Sequence, residues 1–567
     1  MGIGDKFFGL RGKKLGWMIG FCAGMDFLLF GYDQGVMGGI LTLRISWISS
    51  LKLTRISRCY GWYLDAEDFL DQFPEIDPDT ATNAAESSTR ATHQGISIAS
   101  YNLGCFFGAI LAIFIGNPLG RKRMIILGTA IMVVGAALQA SAFGIAHLIV
   151  GRIITGLGNG INTSTVPTWQ SETSSSHKRG KMVMFEGALI TAGIMISYWI
   201  DLGFSFAAGS VAWRFPLAFQ IFFCILILAT VWKLPESPRW LMLKGREDDA
   251  REVISALADL PMDHQFVENE FTSIKETVAE MSKGSFKDLF SSDENRHLHR
   301  VVLAYVNQMF QQISGINLIT YYAAVIYSGL GMSPFMSRLL AALNGTEYFL
   351  ASLPPIWLVE RVGRRKLMLF GAAGQAATMA ILTGVNSQDG TAFKITGIVF
   401  LFIFNTFFAI GWLGMTWLYP AEIVPLRIRA PANGFSTSAN WIWNFMVVMI
   451  TPVSFNDIGH YTYLIFAVIN AIIVPVVYFF YPETAYRSLE EMDAIFQKAK
   501  GAAGWFSVVK IAHDEPRRYG KNGELLIDHD DAEEKGRHMH HSVDGSDSRS
   551  ADGMFNRVDD ERKRNEN

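Results

Sequence analysis

Two carboxylates stand inside an otherwise apolar run near the start of the chain. Asp26 and Asp33 are seven residues apart and so share one face of a helix. A charge at membrane depth is expensive and marks a functional site by default. A carboxyl shielded from water can also load and release a proton near neutral pH. Asp33 lies in GYDQGV, where glycines let other backbones approach. Two readings follow: a proton carrier, or a static ion pair with a buried arginine. Arg152, in GRIITGLGNG, is the candidate partner. Asp26 reads equally well as a residue of a wet inner vestibule. The glycines Gly151, Gly156, Gly158 and Gly160 have no preceding strand and no acidic residue at the distance a dinucleotide site needs. Close helix packing is their expected use.

A second chemistry lies in the later half. QMFQQISGINLITYYA puts Gln308, Gln311, Gln312, Asn317 and Tyr321 within a few turns of one segment, with Gly315 where a helix could break. FFAIGWLGMTWLYP holds Trp412 and Trp417, and STSANWIWNF holds Asn440, Trp441 and Asn444. Amides bond vicinal hydroxyls through paired donors and acceptors. Indole faces stack on the C–H face of a ring or carbon chain. Together they suit a polyhydroxy ligand. The competing use is hydrogen bonding between helices.

A third set repeats. The first half has Arg121 in GRK, Glu172 followed by Arg179, and PESPR with Glu236 and Arg239. The second has Glu360 and Arg364 in ERVGRR, Glu422 followed by Arg429, and PETAYRS with Glu483. Ion pairs at the inner ends of helices can lock one of two arrangements and break in the other. Topology signalling alone would need the Lys and Arg, not the repeated Glu.

The elements that must position these groups are long apolar helices. Half of the 567 residues are hydrophobic, 18% are charged, and the net charge is −3. No basic excess suits a nucleic acid, no Cys/His cluster suits a metal, and four Cys cannot make a disulfide scaffold. No cofactor is expected. Apolar stretches of about 20 residues, enough to cross ~30 Å of hydrocarbon, fall at 15–41, 94–116, 124–143, 146–166, 182–200, 213–233, 300–328, 335–358, 367–385, 395–419, 432–455 and 461–481. The expected fold is therefore an all-α membrane protein of twelve transmembrane helices in two pseudo-symmetric six-helix halves. Its organisation reads as an N-terminus over 1–14, a first half over 15–233 with an outside loop at 42–93, a linker over 234–299, a second half over 300–481, and a tail over 482–567, disordered after 497. Lys and Arg crowd alternate short connections, which puts both termini in the cytoplasm. Residues 44–66, basic and aromatic between a helix end and an acidic stretch, read as foreign to the fold. The His538–His541 cluster reads as a chance run in a solvated tail.

These motifs together resemble the sugar porter family of the major facilitator superfamily, over about 15–495. They are GYDQGV, GRIITGLGNG, PTWQSE, PESPRWL, QQISGINLITYY, ERVGRR, AEIVPLRIR, NWIWNF and PETAYRSLEE. NTSTVPTWQSE and YWIDLGFSF resemble a fungal subgroup that includes glycerol/proton symporters and monosaccharide carriers. The resemblance implies ligand contacts at Gln311, Gln312, Asn317, Tyr321, Trp417, Asn440 and Trp441, and a proton on Asp33 with Arg152 as its partner. The family's animal uniporters carry Asn at this Asp, whereas some yeast facilitators keep it. There are departures. Gly187 stands at the helix-five Gln of sugar carriers with Glu186 beside it, Tyr348 at a helix-eight Asn, Ala409 at an acidic position of some animal members, and Pro118 at the first Arg of an inner motif. Two groups for a pyranose are thus missing, which leaves room for a smaller or linear polyol or a pentose.

The function expected is alternating-access transport of glycerol, a pentose or a hexose with a proton, by a monomer in the plasma membrane. The rivals are a facilitative uniporter and a non-transporting nutrient sensor. No nucleophile–base pair suggests an enzyme.

Overall fold

The computed structural model describes residues 3–43, 69–174, 179–207, 209–282, 284–499, 501 and 504–516. The 44–66 segment and the His538–His541 cluster lie outside the described residues. Each of the twelve apolar stretches is helical. In the first half they are α1 (Gly12–Ile40), α2 (Ala84–Leu119), α3 (Arg121–Ala140), α4 (Ile145–Thr173), α5 (Arg179–Phe204) and α6 (Val211–Val231). In the second they are α7 (His297–Gln311 and Asn317–Gly329), α8 (Pro334–Ser352 and Pro355–Val362), α9 (Arg364–Val385), α10 (Thr391–Gly411 and Met415–Ile423), α11 (Arg429–Ile458) and α12 (Tyr461–Phe480). No strand occurs among the described residues. The end bearing the basic loops is called the inner end below.

Among the described residues, eight helices are long and apolar enough to cross a bilayer by length and composition alone. The others, α4, α7, α8 and α11, hold buried polar groups such as Arg152, Gln311, Arg338 and Asn440. Such groups are tolerated because they face protein rather than lipid. Large apolar side chains on the outside of the bundle, including Phe107, Phe114, Val150, Trp199 and Phe479, are exposed, as a lipid-facing girdle requires. The protein is an integral, multi-pass membrane protein.

The halves meet along three seams: α1 with α7, α2 with α11, and α5 with α8. A two-fold that takes α2 to α8 and α11 to α5 exchanges the last two. Within the first half the glycines set the distances. A Cβ on Gly31 of α1 would fall 1.8 Å from the Ile190 carbonyl oxygen of α5. Cβ atoms on Gly156 and Gly160 of α4 would fall 2.0 and 2.1 Å from the Tyr101 and Cys105 carbonyl oxygens of α2. The glycine run of α4 therefore serves helix packing, as the sequence suggests.

The linker folds into helices Pro238–Leu243, Glu247–Ala258 and Gln265–Ser282, followed by a short turn at Phe286–Phe290. The tail adds Leu489–Lys498, opened by a Ser488/Glu491 capping box. It also adds Gly504–Asp514, a helix where composition predicts disorder. That last helix is held by Arg487, which donates to the Ala512 and Glu515 carbonyls, and by Phe506 against Phe480 of α12. Its apolar residues, Trp505, Phe506, Val508, Val509 and Ile511, form one short run inside a much longer polar tail.

Candidate functional site: a buried carboxyl joined to an amide cluster

Asp33, on α1, is 1% exposed. Its Oδ2 accepts from the Tyr101 hydroxyl of α2 at 3.3 Å, and its Oδ1 has no hydrogen-bond partner. The expected ion pair with Arg152 is not formed. Arg152 Nε and Nη2 donate to the Ile98 carbonyl at 3.3 and 3.1 Å, and Nη1 to Gln139 Oε1 at 3.4 Å. The guanidinium carbon stands 5.1 Å from the Tyr101 ring centroid. The tyrosine thus lies between the two charges and touches both. An arginine that binds a helix carbonyl and a ring face needs no carboxylate to be satisfied. Nothing in the local pattern around Tyr101 marks it, because its role depends on helices far apart in sequence.

Asp26, two turns nearer the inner end, is also 1% exposed. Its Oδ1 accepts from Asn162 Nδ2 of α4 at 2.8 Å, and its Oδ2 has no partner. It is therefore part of the packed interior rather than a vestibule residue. Glu186 on α5 is 5% exposed and makes no hydrogen bond among the described residues. Its neighbour Gly187 would place a Cβ 3.4 Å from Leu413, at the break of α10.

The amides of α7 form a chain. Asn440 Nδ2 of α11 donates to Gln308 Oε1 at 2.8 Å and to Gln311 Oε1 at 2.9 Å. Gln312 Nε2 donates to the same Gln311 oxygen at 2.8 Å, and Asn317 Nδ2 donates to Gln312 Oε1. Gln311 Nε2 donates in turn to the Trp412 and Leu413 carbonyls, at 3.4 and 3.3 Å. These carbonyls are available because α10 breaks between Gly411 and Met415. The chain runs through a π turn of α7, Gln312–Ile316, in which Gly315 has φ +100°. That conformation favours glycine, and π turns recur at functional sites. The break at Gly315 follows the expectation from sequence; those of α8 and α10 were not expected.

The remaining expected ligands surround this chain. The Tyr321 hydroxyl donates to Asn102 Oδ1 of α2 at 3.2 Å, across the seam. Trp417 is half-buried on α10. Trp441 is fully buried, edge-on to Phe30 at 5.2 Å and to Tyr101 at 6.2 Å. Tyr348 is turned toward Phe408 of α10, 6.2 Å away.

At the inner end the repeated Glu and Arg form two matching clusters. Arg121 Nε donates to Glu172 at 3.0 Å, and the Arg121 and Lys122 backbone N–H groups donate to Glu236. Arg364 Nη2 donates to Glu422 at 2.7 Å and Nη1 to Glu360 at 2.9 Å, and the Arg364 backbone N–H donates to Glu483 at 2.8 Å. Each cluster ties three or four helix ends within one half. Among the described residues the hydrogen bonds of each cluster stay within one half, while Gly180 of α5 lies against the second cluster, where a Cβ would fall 2.7 Å from Glu360 Oε1. Arg429 donates to the Val424 carbonyl, and Arg239 lines a cavity of about 540 Å³ with Asn117, Arg121 and Arg427 between the inner ends of α2, α4 and α11. Arg179 opens α5, and its side chain lies outside the described residues.

A profile of the family described as sugar (and other) transporter matches residues 19–496. The chain belongs to the sugar transporter family. That family is one of transporters rather than enzymes. Among its members, the sugar transporter STL1 of Saccharomyces cerevisiae is 36% identical over 97% of this chain and 95% of its own length. The MFS-type transporter oryC of Aspergillus oryzae is 39% identical over 92% of this chain and 93% of its own. Among solved structures, the proton:xylose symporter XylE bound to 6-bromo-6-deoxy-D-glucose superposes with a TM-score of 0.69. It covers 85% of this chain and 99% of its own, at 22% identity, and shares the fold. The sugar transporter fold is thus the major facilitator fold expected from the twelve segments.

Proposed function

We propose that the protein carries a polyol or monosaccharide across the membrane together with a proton, by alternating access. The observation that carries this reading is the unbroken line of contacts from carboxyl to amides. Asp33 accepts from Tyr101, Tyr101 meets Trp441, and Asn440, beside Trp441, donates to Gln311. A change at either end is felt by packed neighbours at the other. Support also comes from similarity to a yeast protein named a sugar transporter and a structure titled a proton:xylose symporter.

In this reading Asp33 takes up the proton, while Arg152 and Tyr101 set its surroundings. Gln311, Gln312, Asn317 and Asn440 exchange their mutual bonds for ligand hydroxyls. Trp417 and Trp441 supply apolar faces, and Tyr321 closes the pocket against α2. Gly187, Ala409 and the turned-away Tyr348 offer fewer bonds than a hexose can use, which favours glycerol or a pentose. The clusters around Arg121 and Arg364 hold each half rigid as the halves rock. The plasma membrane is the proposed location, with both termini in the cytoplasm and a monomer as the working unit.

The test is to express the chain in a yeast lacking its own sugar and glycerol carriers and to record external pH as glycerol, xylose or glucose is added. Alkalinisation with one of them is expected and names the substrate class. Uptake without a pH change overturns proton coupling and makes the protein a facilitator. No uptake of any of the three, with the protein at the surface, overturns transport of this class. The amide chain has its own test. Gln311→Ala deprives Gln312 of its acceptor and removes one ligand-bonding amide. At roughly 1–3 kcal/mol per lost polar partner, the half-saturating concentration is expected to rise about tenfold or more. An unchanged value in initial-rate uptake would place the ligand elsewhere.

A further inference from the structure

At the outer end one cation reaches from one half to the other. Arg338, near the start of α8, is 6% exposed. Its Nε donates to Thr42 Oγ1 at 3.0 Å, and its Nη2 donates to the Thr42 carbonyl, just past the end of α1. Thr42 Oγ1 in turn donates to the Gly39 carbonyl at 2.9 Å. The arginine therefore caps the carbonyl end of α1, where a positive charge is favoured. Asp201 of α5, 2% exposed, rests against the same turn. A Cβ on Gly39 would lie 2.3 Å from Asp201 Oδ2. Arg338 is close enough to Asp201 for their charges to attract. Two bonds between neutral groups also join the halves: the Tyr198 hydroxyl of α5 donates to the Thr320 carbonyl of α7 at 2.6 Å, and Trp199 Nε1 of α5 donates to Thr346 Oγ1 of α8 at 2.9 Å.

We propose that Arg338, held by Thr42 and facing Asp201, is the lock that keeps the outer end closed between the two halves. The hydrogen bonds of the inner clusters among the described residues lie within a half and survive a rigid rocking motion. The Arg338 bonds join the end of α1 to α8, and the Tyr198 and Trp199 bonds join α5 to α7 and α8, so an outward opening must break them. A charge-assisted bond in a dry seam is among the stronger that a side chain makes. Its loss therefore biases a two-state equilibrium toward the open arrangement. Arg338 acts as a positioning residue, since it touches neither the amide chain nor Asp33. The proposal deepens the transport reading by naming its outer gate, and rests on that reading for what passes through it.

The test reads opening directly and needs no substrate, so it can fail or succeed independently of the transport assay. Ala341 is fully buried, and it shares a helix face with Arg338 and with Gly345, which lies against Tyr198 of α5. An Ala341→Cys probe in the full chain, with Cys59→Ser to remove a competing thiol, is labelled in intact cells by a membrane-impermeant maleimide. Adding Arg338→Gln is expected to raise the labelling rate about tenfold. Asp201→Asn should raise it less, and Arg338→Lys, which keeps the charge and one donor, should recover part of the protection. Surface biotinylation checks that each variant reaches the membrane. If Arg338→Gln fails to reach it, Asp201→Asn carries the test. Equal labelling rates in the parent and the folded variants would overturn the proposal. So would labelling only after permeabilisation, which would put this end inside.

Discussion

Asp33→Asn is expected to abolish accumulation of substrate while sparing its exchange across the membrane. The amide keeps the shape of the carboxyl and can still accept from Tyr101, but it carries no proton. One charge moving with the substrate supplies ~2.3 kcal/mol per 100 mV, an accumulation of about 50-fold. The variant should fall from that ratio to simple equilibration. It should also lose the external alkalinisation, yet still catalyse counterflow of labelled substrate. Tyr101→Phe should fall between, because it removes the one hydrogen bond Asp33 accepts and leaves the ring beneath Arg152. Undiminished accumulation in Asp33→Asn would move the proton elsewhere, with Asp26 and Glu186 the buried carboxyls next to be tried.

The second large effect is on stability. Arg364 is buried at the centre of Glu360, Glu422 and Glu483. Arg364→Ala takes the guanidinium from Glu360 and Glu422, while Glu483 keeps its bond to the backbone N–H. Removing one partner of a buried ion pair costs roughly 3–5 kcal/mol. The solvent that reaches Glu360 and Glu422 brings the expectation to about 3 kcal/mol. Arg364→Lys should rescue little, since one ammonium cannot make the forked bonds to two carboxylates. Arg121→Ala should cost less, because its side chain holds a single carboxylate, Glu172. Cys22, Cys105 and Cys224 are buried, so a thiol-reactive dye reports the melting of detergent-purified protein. A melting temperature in Arg364→Ala equal to the parent's would remove the cluster from the account of stability.

Much of this architecture is legible in the amino-acid sequence. The twelve apolar stretches map one for one onto helices because lipid leaves a chain few alternatives to a helix. The inner clusters are legible because the same Glu and Arg recur in both halves. The amide chain is legible because its members on α7 are a turn apart. What is not legible depends on distance along the chain. Tyr101 and Asn102 look like ordinary members of an apolar helix until α1 and α7 are set beside them. Arg338 and Thr42 are separated by 296 residues, and neither belongs to a repeated motif. Residue type alone pairs Arg152 with the nearest plausible acid, but a carbonyl and a ring face satisfy it first. The break of α10 is hidden in a continuous apolar run, where only its glycines hint at it.

The six helices of the first half are each continuous, although α2, α4 and α6 contain prolines. Three of the six in the second half are jointed. Mechanical compliance is therefore unevenly divided. The proposed proton site sits on the unjointed helices, so its chemistry is set by packing. The amides sit beside the joints of α7 and α10, where a small bend alters the width of the pocket at little cost. In the proposed reading, ligands of different length are accommodated on that side by a bend at the joints. On that reading, cargo can change through the joints and a few amides of the second half, with the carboxyl of the first half left as it is.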